Sequence, residues 1–366
     1  MNIPFRPEMR VVAPACSEKE VSELAEAGAD EFFCGVYLET WSPRLGKGTS
    51  TNRRSPSMGQ VQSVDELARM ARCARQLGRE ISLTFNRDSH TQGQYDVAWE
   101  MAQELRRCAG IDHFIVADPP LVAKLAEQGF HVTVSCIANV LNSDAASFFA
   151  ELGARRIILP EELVRADEIC GLVQRNPRLQ IEVFATPTGC MHMQGLCGMD
   201  HDLDAPPHPL LPVLSFAPLI RTIKRTIGRP LASVLRLRRQ HLIWPCALEH
   251  FRALPLDGLA PDPALWEKLE SVFSSQFVRG PDCTFCNILF WHHAGVSAVK
   301  VLARQDPLEI RVRRTRAISH LCHLAATKPE TEAFRSESRA AFRSAFALPC
   351  HEDRHGACGY EWLASD

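Results

Sequence analysis

The chain has 366 residues, long enough to bury a full hydrophobic core as one large α/β domain or two ordinary ones. Apolar residues make up 46% and charged residues 23%, as in soluble globular proteins, and the formal net charge of −2 excludes a general attraction to nucleic acid. No uninterrupted apolar run is long enough to span a membrane, and the first ten residues lack the apolar core of a secretion signal. We therefore expect a cytoplasmic protein whose cysteines do not form disulfides.

Short apolar segments alternate with helical patterns along the first half of the chain and recur once near its end. Such alternation is typical of βαβ units that build a parallel sheet. Eight units predict an α/β fold of the TIM-like (β/α)8 barrel type, and a doubly wound open sheet is the alternative. The predicted strands are residues 9–14, 31–36, 81–86, 114–118, 132–136, 156–160, 181–185 and 296–303.

The alternation divides the chain into four segments. Residues 1–185 hold the first seven β/α units, and residues 186–290 form a cysteine-rich insertion in which the alternation fails. Residues 291–326 supply the last barrel unit, and residues 327–366 form a short C-terminal extension.

A basic amphipathic segment, residues 205–240, lies inside the insertion. No acidic residue occurs between Asp204 and Glu249, whereas seven lysines and arginines interleave with leucines and isoleucines. This pattern predicts one or two helices. They either pack on the barrel or dock a partner protein, RNA or an anionic membrane surface, and the sequence does not choose among these.

Five cysteines in the insertion have the character of metal ligands: Cys190, Cys197, Cys246, Cys283 and Cys286. The six residues between the first two exceed the spacing of a zinc knuckle. Four thiolates, the last from either member of the closing Cys-x-x-Cys pair, suit a metal centre. From spacing alone, tetrahedral zinc and an iron–sulfur cluster both stay open.

Polar residues follow several predicted strands, at the end of a barrel where active sites lie. Asn86, Asn139 and Glu161 are our candidates for orienting a substrate, and ordinary strand-end caps or turns are the alternative. Arg53 and Arg54 lie in the loop after the second strand. Arginine suits bidentate carboxylate binding, so the pair is predicted to hold a dicarboxylate, unless the loop is simply solvated.

The stretch that begins with SCIANVLNSDAASFF and ends with IEVFATPTGC resembles the peptidase U32 family. Asn139 and Asn142 match the family's Asn-x-x-Asn element, and ELGARRIILPEEL matches the segment that follows it. IEVF and QGLC resemble the sequences around the first two cysteines, and HHAGVSAVKVLAR resembles a later strand. The resemblance covers roughly residues 9–320, with the basic segment as an insertion.

The resemblance implies a TIM barrel that carries a 4Fe–4S cluster on four cysteines. Matched position by position, the ligands are Cys190, Cys197, Cys246 and Cys283, with Cys286 as a competitor for the fourth place. Family members are linked to oxygen-independent hydroxylation of a quinone precursor or of RNA bases, with prephenate as hydroxyl donor. The implied function is therefore hydroxylation of an organic or RNA substrate, with prephenate as the dicarboxylate near the paired arginines.

Three departures from the family pattern predict a substrate unlike that of the familiar members. Thr186 replaces a histidine, His250 replaces a cysteine, and the family's Lys-Ile-x-Gly-Arg element lacks its glycine between Lys300 and Arg304. Two other functions remain as alternatives. One is a peptidase or collagenase-like hydrolase, for which no nucleophile and base are recognisable. The other is a non-catalytic, cluster-bearing partner of a homologous subunit.

Overall fold

The computed structural model of the chain describes residues 9–45, 50–54, 59–161, 166–186, 195, 200–201, 250–251, 283–302, 304, 306–327, 329–346 and 350. Cys190, Cys197, Cys246 and the basic segment 205–240 lie outside the described residues.

Eight parallel strands in the described part of the chain form a closed ring. The first strand, β1, pairs with both the second and the last, so that Val12 lies opposite Glu31 on one side and Lys300 on the other. This closure confirms the predicted barrel and excludes the open sheet. The barrel strands are β1 (Arg10–Pro14), β2 (Glu31–Val36), β4 (Glu80–Phe85), β5 (His113–Val116), β6 (His131–Val134), β7 (Arg156–Ile158), β8 (Gln180–Phe184) and β11 (Ala298–Lys300).

Three short strands lie outside the ring. Strand β3 (Gln60–Val61) continues the sheet beside the end of β2. Strands β9 (Asp200–His201) and β10 (His250–Phe251) form an antiparallel pair. The sequence pattern predicted none of these three, because two residues are too few to show a periodicity.

Helices lie outside the ring and alternate with its strands. They are α1 (Glu18–Glu26), α2 (Ser42–Leu45), α3 (Val64–Gln76), α4 (Gln92–Ala109), α5 (Pro119–Glu127), α6 (Ser143–Glu151), α7 (Ala166–Arg175), α8 (Asn287–Ala294), α9 (Leu308–Ala326) and α10 (Thr331–Phe346). A 3-10 turn covers Cys136–Ala138.

Local sequence sets the helix ends. Ser17 and Ser63 accept hydrogen bonds from the first turns of α1 and α3, and Thr91 forms a reciprocal capping box with Gln94 at the start of α4. Helix α4 ends at Gly110, whose φ of 67° is a backbone conformation that glycine adopts without steric cost. Each helix therefore ends where the chain can enter the next strand at its predicted position.

The core has two layers, because successive strand residues point to opposite faces of the ring. Outward residues such as Val11, Leu83 and Val183 pack under the helices in one large cluster. Inward residues form a second, smaller cluster within the ring: Val12, Phe33, Ile115, Cys136, Ile158, Phe184 and Ala298.

A network of ion pairs also fills part of the ring. Arg156 donates to Glu31 at 2.6 and 2.9 Å and to Glu182 at 3.0 Å. Arg10 reaches Glu31 at 2.6 Å, and Lys300 reaches Glu182 at 2.8 Å. Burial opposes ionisation of Glu31, but hydrogen bonding and attraction to Arg156 hold its pKa below the ordinary value. The network joins β1, β2, β7, β8 and β11 across the barrel.

The C-terminal extension contains one feature that its polar sequence did not predict. Helix α10 packs against α9 and buries Phe334 and Phe342, and the Phe342 ring meets Phe285 edge-on at 5.7 Å. The extension therefore covers part of the barrel next to the closing Cys-x-x-Cys pair. Within the described residues, no helix combines the length and apolar character that crossing a membrane requires.

Candidate active site at the barrel mouth

The carboxyl ends of parallel strands meet at one rim, so residues that follow different strands become neighbours there. This rim carries most of the polar residues singled out from the sequence. Those predicted site residues are Arg53 and Arg54 in the 50–54 loop after β2, Asn86 after β4, Asn139 after β6 and Glu161 after β7. The structure adds Cys16 after β1, Asp118 after β5, Ser135 after β6 and Arg304 after β11.

Asn86 spans the rim rather than capping its own strand. Its side-chain Nδ2 donates to the Ser135 Oγ at 3.3 Å, which links the ends of β4 and β6. Its Oδ1 is buried and has no hydrogen-bond partner among the described residues. A buried amide oxygen without a donor is unfavourable, so this atom is available to a ligand hydroxyl or amine.

Asn139 holds the turn after β6 and meets the cysteine-rich insertion. Its backbone is left-handed, with φ of 51°, which asparagine tolerates better than most residues. Its Oδ1 is buried and unpaired within the described part of the chain. A Cβ on Gly195 would lie 2.4 Å from the Asn139 Cγ and 2.5 Å from the Ile137 carbonyl oxygen. Gly195, which stands between Cys190 and Cys197 in the sequence, therefore packs directly against the rim, and only glycine fits at the contact.

The loop after β2 is folded onto the rim and is not a solvated loop. Gln60 on β3 donates to the Arg54 carbonyl oxygen at 2.6 Å and accepts from the Asn52 Nδ2 at 2.5 Å. Arg53 is 7% exposed and has a left-handed backbone, with φ of 59°. Arg54 is half-buried. Glu161, on the opposite side of the rim, is also buried.

Arg304 joins Arg54 at this rim, and the sequence patterns did not single it out as a site residue. It is 9% exposed, and its guanidinium carbon lies 5.6 Å from the centre of the Phe33 ring. Burial lowers the pKa of Arg304. Burial, and then repulsion by Arg304, lowers the pKa of Arg54 to about 9. The only signal for Arg304 in the sequence is its place in the Lys-x-x-x-Arg element.

The closing Cys-x-x-Cys pair lies against the end of β8. Cys283 and Cys286 are both buried. Between them, the Thr284 hydroxyl donates to the carbonyl oxygens of Phe184 and Ala185 at 3.2 and 3.0 Å. These two carbonyls precede the segment that contains Cys190. The structure thus brings the last two cysteines to the point where the cysteine-rich insertion leaves the barrel, and Cys190, Cys197 and Cys246 themselves lie outside the described residues.

A buried histidine–aspartate pair completes the rim. The His90 Nδ1 lies 2.7 Å from the Asp118 Oδ2, and the side chains are 1% and 9% exposed. Asp118 precedes α5 but makes no capping bond, since its carboxylate faces His90 instead. The His90 Nε2 is buried and has no partner in the described part of the chain. Asp118 is the last residue of the predicted strand 114–118, whereas no pattern in the sequence marked His90.

The fold and this rim define a TIM-barrel protein whose polar residues and paired cysteines collect at the carboxyl ends of the strands. The sequence profile of Peptidase family U32 matches residues 17–205, just over half of the chain. The chain belongs to peptidase family U32.

Curated relatives carry a shared description. The chain is 25% identical over 199 residues to the tRNA hydroxylation protein P of Haemophilus influenzae, covering 54% of this chain and 39% of that protein. It is 33% identical over 195 residues to the protein of the same name from Helicobacter pylori strain J99, covering 52% and 42%. The chain thus spans less than half the length of the curated relatives it matches. Among solved structures, the U32 peptidase Mk0906 aligns over 49% of this chain and 69% of its own, at 19% identity and a TM-score of 0.38.

Proposed function

We propose that this chain takes part in oxygen-independent hydroxylation of tRNA, as a cluster-bearing member of its family. The observation that carries the proposal is the rim, where Gly195, between Cys190 and Cys197 in the sequence, lies against the turn after β6 and the buried Cys283–Cys286 pair lies against the end of β8. The names of the relatives at 25–33% identity support tRNA as the substrate class. These names favour a tRNA nucleoside, a substrate of the familiar kind, over the unfamiliar substrate that Thr186, His250 and the missing glycine predicted.

The donor set suits a 4Fe–4S cluster. Thiolates are the ligands that such clusters prefer, and the Cys283–Cys286 pair is buried at the mouth, beside the chain leading to the first two cysteines. In this proposal, Cys190, Cys197 and Cys246 hold the cluster together with Cys283 or Cys286. With four cysteine ligands the cluster would supply electron transfer, whereas with only three its open iron would act as a Lewis acid.

The remaining rim residues position the reactants. The unpaired amide oxygens of Asn86 and Asn139 accept hydrogen bonds from the substrate, and Glu161 orients it from the end of β7. Arg53 and Arg54 are proposed to hold prephenate, the hydroxyl donor, because guanidinium groups match carboxylates geometrically. The basic segment 205–240, outside the described residues, is proposed to contact tRNA phosphates.

The cluster is tested by metal analysis of anaerobically purified protein. We expect about four iron and four sulfide per chain, with a brown colour. Substituting Cys190 or Cys197 by alanine should remove iron, whereas Cys108→Ala, at an exposed cysteine on α4, should retain it. Separate Cys283→Ala and Cys286→Ala variants identify the fourth ligand as the one whose loss removes iron. Colourless protein with stoichiometric zinc contradicts the proposal.

The reaction is tested by mass spectrometry of tRNA nucleosides from cells lacking the gene. We expect a hydroxylated nucleoside to disappear and to return with the wild-type gene but not with Asn139→Ala or Cys197→Ala. An unchanged nucleoside profile contradicts the hydroxylation role. If both variants restore the hydroxylated nucleoside, the assignment of Asn139 and Cys197 to the reaction site is wrong.

The peptidase alternative is not favoured by the rim. His90 and Asp118 have the relative placement of a base and its orienting acid. A hydrolase also needs a serine or cysteine at hydrogen-bond distance from the His90 Nε2, and the described residues place none there. Peptide cleavage by cluster-free protein would restore this alternative. If tRNA hydroxylation requires a homologous subunit in addition to this chain, the role of a non-catalytic partner would be favoured.

A further inference from the structure

Two arginine side chains at the rim have no carboxylate partner in the part of the chain that the structure describes. Arg54 and Arg304 form no ion pair there, and the Arg304 Nη1 is buried without any hydrogen-bond partner. Other buried arginines are satisfied: Arg156 contacts Glu31 at 2.6 Å, and Arg311 contacts Glu20 at 2.5 Å. A buried charge without a counter-charge is strongly unfavourable, so Arg304, which is 9% exposed, and the half-buried Arg54 require an explanation, since no described acid pairs with either.

The topology brings these two arginines together. Arg304 follows β11 and Arg54 belongs to the loop after β2, and both strands flank β1 in the ring. Gln60 donates to the Arg54 carbonyl oxygen at 2.6 Å, and its Oε1 would lie 2.5 Å from a Cβ on Gly35. The Arg304 Nη1 would lie 2.6 Å from the same Cβ. The Arg304 guanidinium and the Arg54 backbone therefore both lie near the end of β2, where the absence of a side chain on Gly35 leaves room for the Arg304 guanidinium.

The neighbouring thiols do not neutralise this charge. Burial raises the pKa of Cys16 to about 11, in spite of the attraction to Arg304, and burial likewise raises that of Cys34. Both thiols are therefore uncharged at neutral pH. Arg54, with its pKa lowered to about 9 chiefly by burial, remains protonated there. At neutral pH this part of the rim thus carries positive charge that no described acid balances.

We propose that Arg54 and Arg304 together form an oxyanion-binding site at the barrel mouth, which takes the carboxylate or phosphate group of a small molecule. Guanidinium groups donate paired hydrogen bonds to such groups, and a bound anion would satisfy the Arg304 Nη1. Arg304 is nine-tenths buried beside the Phe33 ring, which favours a small ligand over a polynucleotide backbone. The pair differs from the Arg53–Arg54 clamp expected from the sequence, in which two neighbouring residues act together.

The site rests on the proposed function only for the identity of its natural ligand. Anion binding itself is measured on the protein as purified, without substrate or turnover, and iron content is measured separately. A failure of anion binding is therefore distinguishable from a failure of the hydroxylation role.

The first experiment titrates succinate and inorganic phosphate against the thermal unfolding midpoint, with chloride at equal ionic strength as the reference. We expect at least one anion to raise the midpoint of wild type and of Arg72→Gln, whose arginine lies exposed on α3. In Arg54→Gln or Arg304→Gln, the anion concentration that gives half of the maximal rise in the unfolding midpoint should increase at least about tenfold. This is the loss of affinity expected when a charge-assisted hydrogen bond is removed. A rise in the midpoint with succinate alone identifies a carboxylate ligand, and a rise with phosphate alone identifies a phosphate group. A rise with both anions identifies a general oxyanion site.

The second experiment compares the variants without added anion. An unpaired buried charge destabilises the ligand-free protein, so Arg304→Gln should raise the unfolding midpoint, whereas Arg72→Gln should leave it unchanged. A lower midpoint for Arg304→Gln indicates that Arg304 has a structural acidic partner and overturns the proposal. The proposal is also overturned if neither anion shifts the wild-type midpoint, or if both arginine variants respond as wild type does.

Discussion

At the scale of single residues, the rim contains buried polar atoms that the fold alone does not satisfy. The amide oxygens of Asn86 and Asn139 and the His90 Nε2 have no partners among the described residues. Proteins rarely leave such atoms unpaired unless a ligand, water or ion completes them. Since these atoms follow β4 and β6 on the same rim, they mark one surface for a reactant.

The His90–Asp118 pair gives a prediction at this scale. Asp118→Asn should lower the free energy of unfolding by about 1–3 kcal/mol, because it weakens a buried contact of 2.7 Å and leaves a polar group poorly satisfied. Urea denaturation measures this change. Asp88→Asn, at an exposed position in the same loop, is the control and should have little effect. Equal stability of the two variants would mean that the pair does not hold the loop.

At the scale of elements, the insertion and the barrel are connected at identifiable contacts. Gly195 packs on the turn after β6, and Thr284 binds the end of β8. Helix α10 supports the same region, because Phe342 packs on Phe285 between the two cysteines. The position of the cysteine pair therefore depends on elements that are far apart in the sequence.

Gly195→Ala gives the prediction for these elements. A methyl group there would lie 2.4–2.5 Å from Asn139 and from the Ile137 carbonyl oxygen, so the loop must move away from the rim. We expect the barrel to fold normally by circular dichroism, while iron content falls by half or more. Gly93→Ala, which meets nothing within 4 Å, is the matched control and should keep its iron. Full iron content in Gly195→Ala would show that this contact does not position the cysteine loop.

At the scale of the whole molecule, the ion-pair network links strands on different sides of the barrel. Glu31 lies on β2 and contacts Arg156 on β7, 125 positions away in the sequence. Arg156 also reaches Glu182, which Lys300 contacts from β11. Protonation of Glu31 is therefore expected to affect the closed ring as a whole and not one strand pair.

The pH dependence of the free energy of unfolding follows from the direction in which the pKa of Glu31 is shifted. Its pKa in the folded protein lies below the ordinary 4.5, because the opposing effect of burial is outweighed by the bonds to Arg156. This carboxylate thus stabilises the fold above about pH 4.5, and that contribution is lost as pH falls through the lower folded pKa. Glu31→Gln should cost about 3 kcal/mol at pH 7, and progressively less below pH 4.5.

Urea titrations between pH 3 and pH 7 measure this dependence. Glu26→Gln, at an exposed position on α1, is the control and should follow the wild-type curve. A constant difference between wild type and Glu31→Gln across this range would show that Glu31 does not carry the acid dependence.

The repeating units were predictable from the sequence because each is local. Strands such as Glu31–Val36 and helices such as Val64–Gln76 show their periodicity, caps and terminal glycines within a few residues, so all eight barrel strands and the ring were predicted. Strand β3 and helix α10 were not predicted, because a two-residue strand and a polar surface helix gain their stability from contacts elsewhere in the chain.

The sequence by itself determined the barrel, the family resemblance and the set of cysteines with the character of cluster ligands. Only the tertiary structure decided which residues come together: His90 with Asp118, Gly195 with Asn139, and Arg304 with the end of β2. The physical reason is that a barrel turns the end of each strand toward one rim, so residues distant in sequence become neighbours there. Their burial and the absence of described partners, which no local pattern records, then determine their chemistry.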